Sequence, residues 1–252
     1  MKIKMAFTQH AGNNPDQQDA LWDGKTIFQK RDLPVSSRLV ETNKRMVVAL
    51  SDGVACSSMP QRASRVALET LAIEMAAGAM FNVSTIRRVH GRLCDVLAKG
   101  KTFGSSTTLV AMECVNDRWS VLSVGDSRAY RIPATGEWQQ LTRDHTILNA
   151  MIDNGVADAA TEYASFYGML DMCLVADDEE TEFQVHRATA QLNPGDAILL
   201  CTDGVHDTLG DDKLKKLITY PIDPIVQIEA WRKAILKAGA PDNFSMLLVQ
   251  YL

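Results

Sequence analysis

Several chemistries are excluded by what this chain lacks. Its five cysteines (Cys56, Cys94, Cys114, Cys173 and Cys201) are odd in number, scattered and never set at CxxC spacing. That argues against both a disulfide framework and a zinc site. No uninterrupted apolar run approaches the ~18–20 residues needed to cross a bilayer. The opening MKIKMAFTQHAGNN is too polar, with too short an apolar part, to read as a secretion signal. No Lys/Arg cluster or arginine-rich arm marks a nucleic-acid face, and the net charge of -5 is mild. Internal repeats, low-complexity tracts and a convincing interdomain linker are missing too. The expectation is a cytoplasmic protein that meets neither nucleic acid nor membrane. Cys114 and Cys201 lie in apolar runs and are expected to be small buried thiols.

What is present suits one globular domain. The 252 residues, 46% hydrophobic, are enough to bury a large core. Strand-like runs occur at Lys4–Thr8, Met46–Leu50, Thr108–Cys114, Trp119–Val124, Ala129–Ile132, Thr181–Arg187, Ala197–Cys201 and Phe244–Gln250. Apolar residues at helical spacing predict helices over Pro60–Ala77, Ser84–Leu97 and Pro224–Lys237, with Met75 and Met80 as core. Strands, a helix pair, many strands, a helix and a last strand do not alternate as in a doubly wound sheet. The expected fold is therefore α+β, a sandwich of mainly antiparallel sheets with outer helices. One domain is expected over 1–252. The segment 147–180, with weak helix signals and the acidic run Asp177–Glu180, is expected to be a flap.

Acidic residues stand where apolar runs end. Met46–Leu50 ends in Ser51–Asp52–Gly53–Val54, and Ala197–Cys201 ends in Thr202–Asp203–Gly204–Val205. Asp-Gly commonly makes a hairpin turn. Here neither copy is promptly followed by a partner strand, so each Asp sits where a loop opens and site residues are often mounted. Asp126 in Gly125–Asp126–Ser127–Arg128, Asp242 in Pro241–Asp242–Asn243, and Asp19 are the other candidates; alone, the first two read as turns. Converging carboxylates without matching cations repel one another. A hard divalent cation such as Mg²⁺ or Mn²⁺ resolves that repulsion. Spacing alone does not bring these acids together.

Taken in order, the motifs resemble those of the metal-dependent protein phosphatases of type 2C (PPM), in a bacterial-type form. They are Gln18–Asp19–Ala20, SDGV (51–54), Gly104–Thr108, SVGDSRAY (123–130), LTRDHT (141–146), LLCTDGVHD (199–207) and PDNFSMLLV (241–249). The resemblance implies a four-layer αββα sandwich of two antiparallel sheets flanked by helices. It implies two Mn²⁺ or Mg²⁺ ions and a third, weaker one. Asp52 would bridge the two ions, with the Gly53 carbonyl on one of them. Asp203 and Asp242 would be direct ligands, and these three acids the catalytic set. Asp19 would act through water, Asp126 (with Asp207) at the third site, and Asn243 behind the ligands. A metal-bridging hydroxide would then attack phosphoserine or phosphothreonine in line. The implied partner is a phosphorylated protein, the target of a serine/threonine kinase or the kinase itself, met by a monomer. No CxxxxxR-type nucleophile loop is read on Cys56, Cys94, Cys114, Cys173 or Cys201, which weighs against a thiol-dependent tyrosine phosphatase.

The chain departs from the family pattern at four places. Asn14 stands where many relatives carry a phosphate-gripping arginine; Arg31, Lys44 and Arg45 are the nearby basic residues. Gln18 replaces an acid, Val54 cannot serve as the general acid that a histidine provides in some relatives, and 147–180 matches poorly. His145 reads as structural, and His206 stands beside Asp203 and Asp207. Ser127–Arg128 reads as a turn and Thr107–Thr108 as strand packing. Two alternatives stay open: a catalytically weak module that binds phosphoproteins, and a hydrolase of small phosphoesters.

Overall fold

The computed structural model describes residues 2–41, 45–158, 160–161, 163–178 and 183–252. Along the chain, β1 (Lys2–His10), β2 (Ala20–Trp22), β3 (Ile27–Phe28), β4 (Asp32–Glu41) and β5 (Met46–Ser51) precede the helices α1 (Pro60–Ala76) and α2 (Val83–Leu97). Next come β6 (Ser105–Thr107), β7 (Leu109–Val115), β8 (Arg118–Val124), β9 (Arg128–Ile132) and β10 (Gln139–Gln140). Helix α3 (Ile147–Asp153), β11 (Leu174–Ala176), β12 (His186–Ala190) and β13 (Ala197–Cys201) come after them. The chain closes through α4 (Asp203–Leu209), α5 (Asp211–Lys216), α6 (Pro224–Lys237) and β14 (Phe244–Tyr251).

Among the described residues two six-stranded sheets form, in the orders β10-β9-β13-β14-β1-β4 and β12-β8-β7-β5-β2-β3, and all of their pairings are antiparallel. Period-two alternation sorts their side chains into layers. Ile3, Met5, Phe7, Val48, Leu50, Val110, Met112, Ile198, Leu200, Leu247 and Val249 meet between the sheets. The intervening residues Val47, Ala49, Leu109, Ala111 and Leu122 face outward against Ala67, Leu71, Ile86, Val89 and Leu93 of α1 and α2. On the other sheet Leu199, Cys201, Met246 and Leu248 pack against Val205, Leu214, Ile228, Trp231 and Ile235 of α4, α5 and α6. The result is the expected four-layer αββα sandwich. The expected thiols Cys114 and Cys201 are both buried.

Local chemistry explains the helix starts. Asn82 caps α2 by accepting from Thr85 N at 3.1 Å, and Asp223 caps α6 by accepting from Ile225 N at 2.9 Å. Pro60 and Pro224 begin α1 and α6, where a missing N–H costs nothing.

Three expectations need correction. The strand expected at Thr181–Arg187 is β12 at His186–Ala190, because its pairing with β8 ends at His186↔Ser123, just before that partner turns at Gly125. Residues 181 and 182, like Glu179 and Glu180 of the acidic run, lie outside the described residues. Met80 is 73% exposed rather than core, since it falls beyond the end of α1. Asp203 opens no loop but starts α4 directly.

Candidate active site

Sheet register gathers the acids at one end of the sandwich. Ala20 pairs with Ser51, which sets Asp19 beside Asp52. Cys201 pairs with both Met246 and Arg128, which brings Asp203 to the end of the sheet where Asp242 and Asp126 also lie. Two glycines permit the closeness. A Cβ on Gly204 would lie 2.0 Å from the Asn243 carbonyl oxygen, and one on Gly53 would lie 2.4 Å from that of Pro60. Only glycine lets these backbones approach.

Hydroxyl groups fix the carboxylates. Asp19 is fully buried; its Oδ2 accepts from Thr202 Oγ1 at 2.9 Å and Ser245 Oγ at 2.8 Å. Its Oδ1 is buried without a partner. The Asp52 carbonyl accepts from Thr108 N at 2.8 Å and Thr107 Oγ1 at 2.7 Å, and Asp52 N donates to Thr108 Oγ1 at 3.1 Å. Thr107 and Thr108 therefore do more than pack as strand residues: they clamp the backbone of Asp52. Asp242 Oδ1 accepts from Asn14 Nδ2 at 2.6 Å and from Asn243 N at 2.7 Å.

The cluster titrates abnormally. Burial, then the Asp203 charge, pushes Asp19 up to about 7. The same two causes push Asp126 up to about 7. Burial and the Asp19 and Asp203 charges raise Asp52 well above the carboxylate range, and burial and Asp242 raise Asp203. Asp52, Asp126 and Asp203 keep some surface in solvent, yet lost hydration is still the largest cause for each. None of the five acids forms an ion pair with Lys or Arg among the described residues.

The side chains fit a divalent cation in character. Asp19 and Asp203 both act on Asp52 as neighbouring negative charges, an arrangement that needs a proton or a cation among like-charged groups. The orphaned Oδ1 of Asp19 points to the same need. Among the described residues, however, no three His, Cys, Asp or Glu side chains are already spread as a ligand cage. The chemistry of the donor set, all oxygen and strongly acidic, therefore weighs more here than its present spacing.

Neighbouring motifs prove to be braces. Arg128 Nη2 and Nε grip Asp144 at 2.6 and 2.9 Å, so Ser127–Arg128 is more than a turn: it ties SVGDSRAY to LTRDHT. His145 Nδ1 accepts from Gly125 N at 3.0 Å, a structural role as expected. His206 is buried, with Nδ1 at 2.9 Å from Asp207 Oδ1 and Nε2 at 3.2 Å from the Asp126 carbonyl. It holds Asp126 directly, while Asp207 turns toward His206 with its side chain 73% exposed. Asn243 Oδ1 accepts from Gln18 N at 2.5 Å and its Nδ2 donates to the Ala11 carbonyl at 2.7 Å.

Of the basic residues near Asn14, Arg45 is committed elsewhere, to Glu113 and the Ala79 carbonyl. Arg31 is exposed, with its carbonyl accepting from Ala11 N at 2.7 Å; Lys44 lies outside the described residues. One reading of the cysteines needs correction: Cys56 to Arg62 does have the CxxxxxR spacing of thiol phosphatases. Among the described residues no hydrogen bond or ion pair joins the two. Cys56 is exposed on the loop that follows Asp52. Thr202 and Ser245 escape a reading by motif alone; a serine at the second position of a strand carries no signal until its cross-sheet neighbour is known.

A family model described as protein phosphatase 2C matches residues 36–234. Protein phosphatase PhpP of Streptococcus pneumoniae is 23% identical over 213 residues, covering 81% of this chain and 85% of that one. Serine/threonine protein phosphatase PstP of Mycobacterium tuberculosis is 27% identical over 146 residues, or 58% of this chain. The match spans only 27% of PstP's length. A crystal structure of the catalytic domain of PstP in complex with two manganese ions superposes with a TM-score of 0.73 at 19% identity, covering 99% of each chain. At that identity the likeness is one of fold.

Proposed function

This chain belongs to the protein phosphatase 2C family, and we propose that it is a metal-dependent phosphatase acting on phosphoserine and phosphothreonine in proteins. The observation that carries the reading is the unpaired acidic cluster, in which burial and mutual repulsion lift Asp19, Asp52, Asp126 and Asp203 together. Once ionised, such a cluster destabilises the fold unless cations neutralise it. Two Mn²⁺ or Mg²⁺ ions are assigned to Asp52, the Gly53 carbonyl, Asp203 and Asp242, with Asp19 behind them and a third, weaker ion at Asp126. When bound, they supply Lewis acidity that activates water and offsets charge on the phosphoryl oxygens.

The chain's own residues position the ligands. Thr107, Thr108 and Ser51 fix the strand end that presents Asp52. Thr202 and Ser245 aim Asp19, and His206 steadies Asp126. Val54 offers no proton, so protonation of the leaving oxygen falls to water. A cleft of ≈ 460 Å³ beside Asp126 and His206 is also lined by Leu148, Gly168 and Met169. That supports a flap at 147–180 on a single catalytic domain, and room for a polypeptide substrate. The substrate is a phosphoprotein, the target of a kinase or the kinase itself, met by a monomer.

The test is phosphate release from a phosphothreonine peptide with Mn²⁺, and again after EDTA. Release that stops with EDTA and in Asp52→Ala, but persists in Cys56→Ser, supports the proposal. Release that survives EDTA and stops in Cys56→Ser would replace it with thiol chemistry. A folded protein inert under every metal would favour the second reading, a phosphoprotein-binding module, for which Asn14 and Val54 speak. Faster turnover of sugar phosphates or nucleotides than of peptides would favour the small-phosphoester reading.

A further inference from the structure

The loop that carries Asn14 is strapped to the segment that carries Asp242. Asn13 N donates to the Ala240 carbonyl at 3.0 Å, and Asn13 Nδ2 to that of Gly239 at 3.1 Å. Gly12 has φ +57, and a Cβ there would lie 2.1 Å from the Asp242 carbonyl oxygen. Into this contact Asn14 sends a short side chain whose Nδ2 reaches Asp242 Oδ1 at 2.6 Å. With Asn243 N at 2.7 Å on the same atom, Oδ1 holds two donors. Oδ2 accepts no hydrogen bond from the described residues and is the oxygen left for a cation. Asp242 in turn acts on Asp203, whose ionisation its charge opposes.

We infer that Asn14 is a positioning residue for Asp242, holding one carboxylate oxygen so that the other faces the cation site. The inference rests on the metal-dependent reading above. An arginine at this position would be long and charged enough to reach outward to a phosphate. An asparagine ends at Asp242. The loop therefore serves the metal site instead of the substrate. A hydrogen bond that orients a ligand typically changes metal affinity about 10–100-fold when lost.

The experiment is isothermal calorimetry of Mn²⁺ binding to EDTA-stripped protein, alongside KM and kcat for the phosphothreonine peptide at saturating Mn²⁺. Asn14→Ala should weaken Mn²⁺ binding by about 10-fold and leave KM within twofold. Asn14→Leu, which keeps asparagine's branching at Cγ but cannot donate, keeps the loop filled and should do the same should the alanine variant fold poorly. A raised KM with unchanged Mn²⁺ affinity would make Asn14 a substrate contact and overturn the inference. Unchanged affinity and unchanged KM would overturn it as well, leaving the hydrogen bond incidental. Wild-type protein that binds Mn²⁺ but releases no phosphate would sink the proposed function, while the two affinities would still decide the role of Asn14.

Discussion

The two Asp-Gly junctions share a sequence grammar and differ in the backbone that each one enters. After β5, Asp52–Gly53 enters a loop propped by β6: Gly53 bridges to Thr107, and Val54 N donates to the Ser106 carbonyl at 3.0 Å. After β13, Asp203–Gly204 is already the first turn of α4. Thr202 occupies the cap position but gives its hydroxyl to Asp19 instead of to the helix. The first acid is thus held by a neighbouring strand, the second by a helix start whose N–H groups favour negative charge. The same tetrapeptide pattern presents a carboxylate at a strand end by two unrelated backbone routes. What both routes share is a glycine whose missing Cβ admits another backbone.

The largest break in this comparison comes from the acids. Asp203→Asn should abolish metal-dependent phosphate release while leaving the circular dichroism spectrum intact, and Asp52→Asn should match it. Near-normal turnover in either folded variant would remove that acid from the proposed metal set. Next come the glycines. Gly204→Ala should cost about 3 kcal/mol, because the Asn243 backbone must move. Gly53→Ala should cost less, since its nearest contact, the Pro60 carbonyl oxygen, is longer. Urea denaturation that ranks them the other way would show that the loop junction is the stiffer one.

A smaller effect is set by pH. Asp19 and Asp126 have folded-state values near 7, above the 3.8 of an ordinary aspartate, so their contribution is fully present below about 3.8 and fades as pH rises through 7. Metal-free protein should therefore lose ~2 kcal/mol or more between pH 5 and pH 8, a Tm fall of roughly 5 °C. Mn²⁺ should flatten that slope, and so should Asp203→Asn in EDTA. A Tm that rises with pH in EDTA would contradict the clustering of the acids. The smallest effect separates the supports: Thr202→Val, which strips a donor from buried Asp19, should destabilise by ~1–2 kcal/mol. Ser51→Ala, whose Oγ only joins Thr107 and the Thr108 carbonyl, should cost about half as much.

Long apolar runs bounded by strong punctuation were legible in the sequence. β13 and α6 have the boundaries read from Ala197–Cys201 and from Pro224–Lys237, and the outer helices face the sheets as their periodicity implies. β2, β3 and β11 span two or three residues, too few for alternation to register. β4 was obscured by Pro34, which an edge strand tolerates. At the site, the acids were legible because each closes or opens an apolar run. Their supports were not. Asn14 meets Asp242 and Ser245 meets Asp19 across more than 220 positions of sequence. Such contacts arise from sheet order, which no local pattern encodes.

That sheet order also bears on biosynthesis. β14 lies between β13 and β1, so a strand translated late is the sole bridge between the first strand and the middle of its sheet. While the ribosome is still making α6, β1 can pair with β4 but leaves its other edge bare, and Asp242 has not yet emerged. Asp203 and Asp242 therefore join Asp19 and Asp52 only when β14 slots home. A nascent chain is spared the full repulsion of the gathered carboxylates until the rest of the sandwich is ready to receive them.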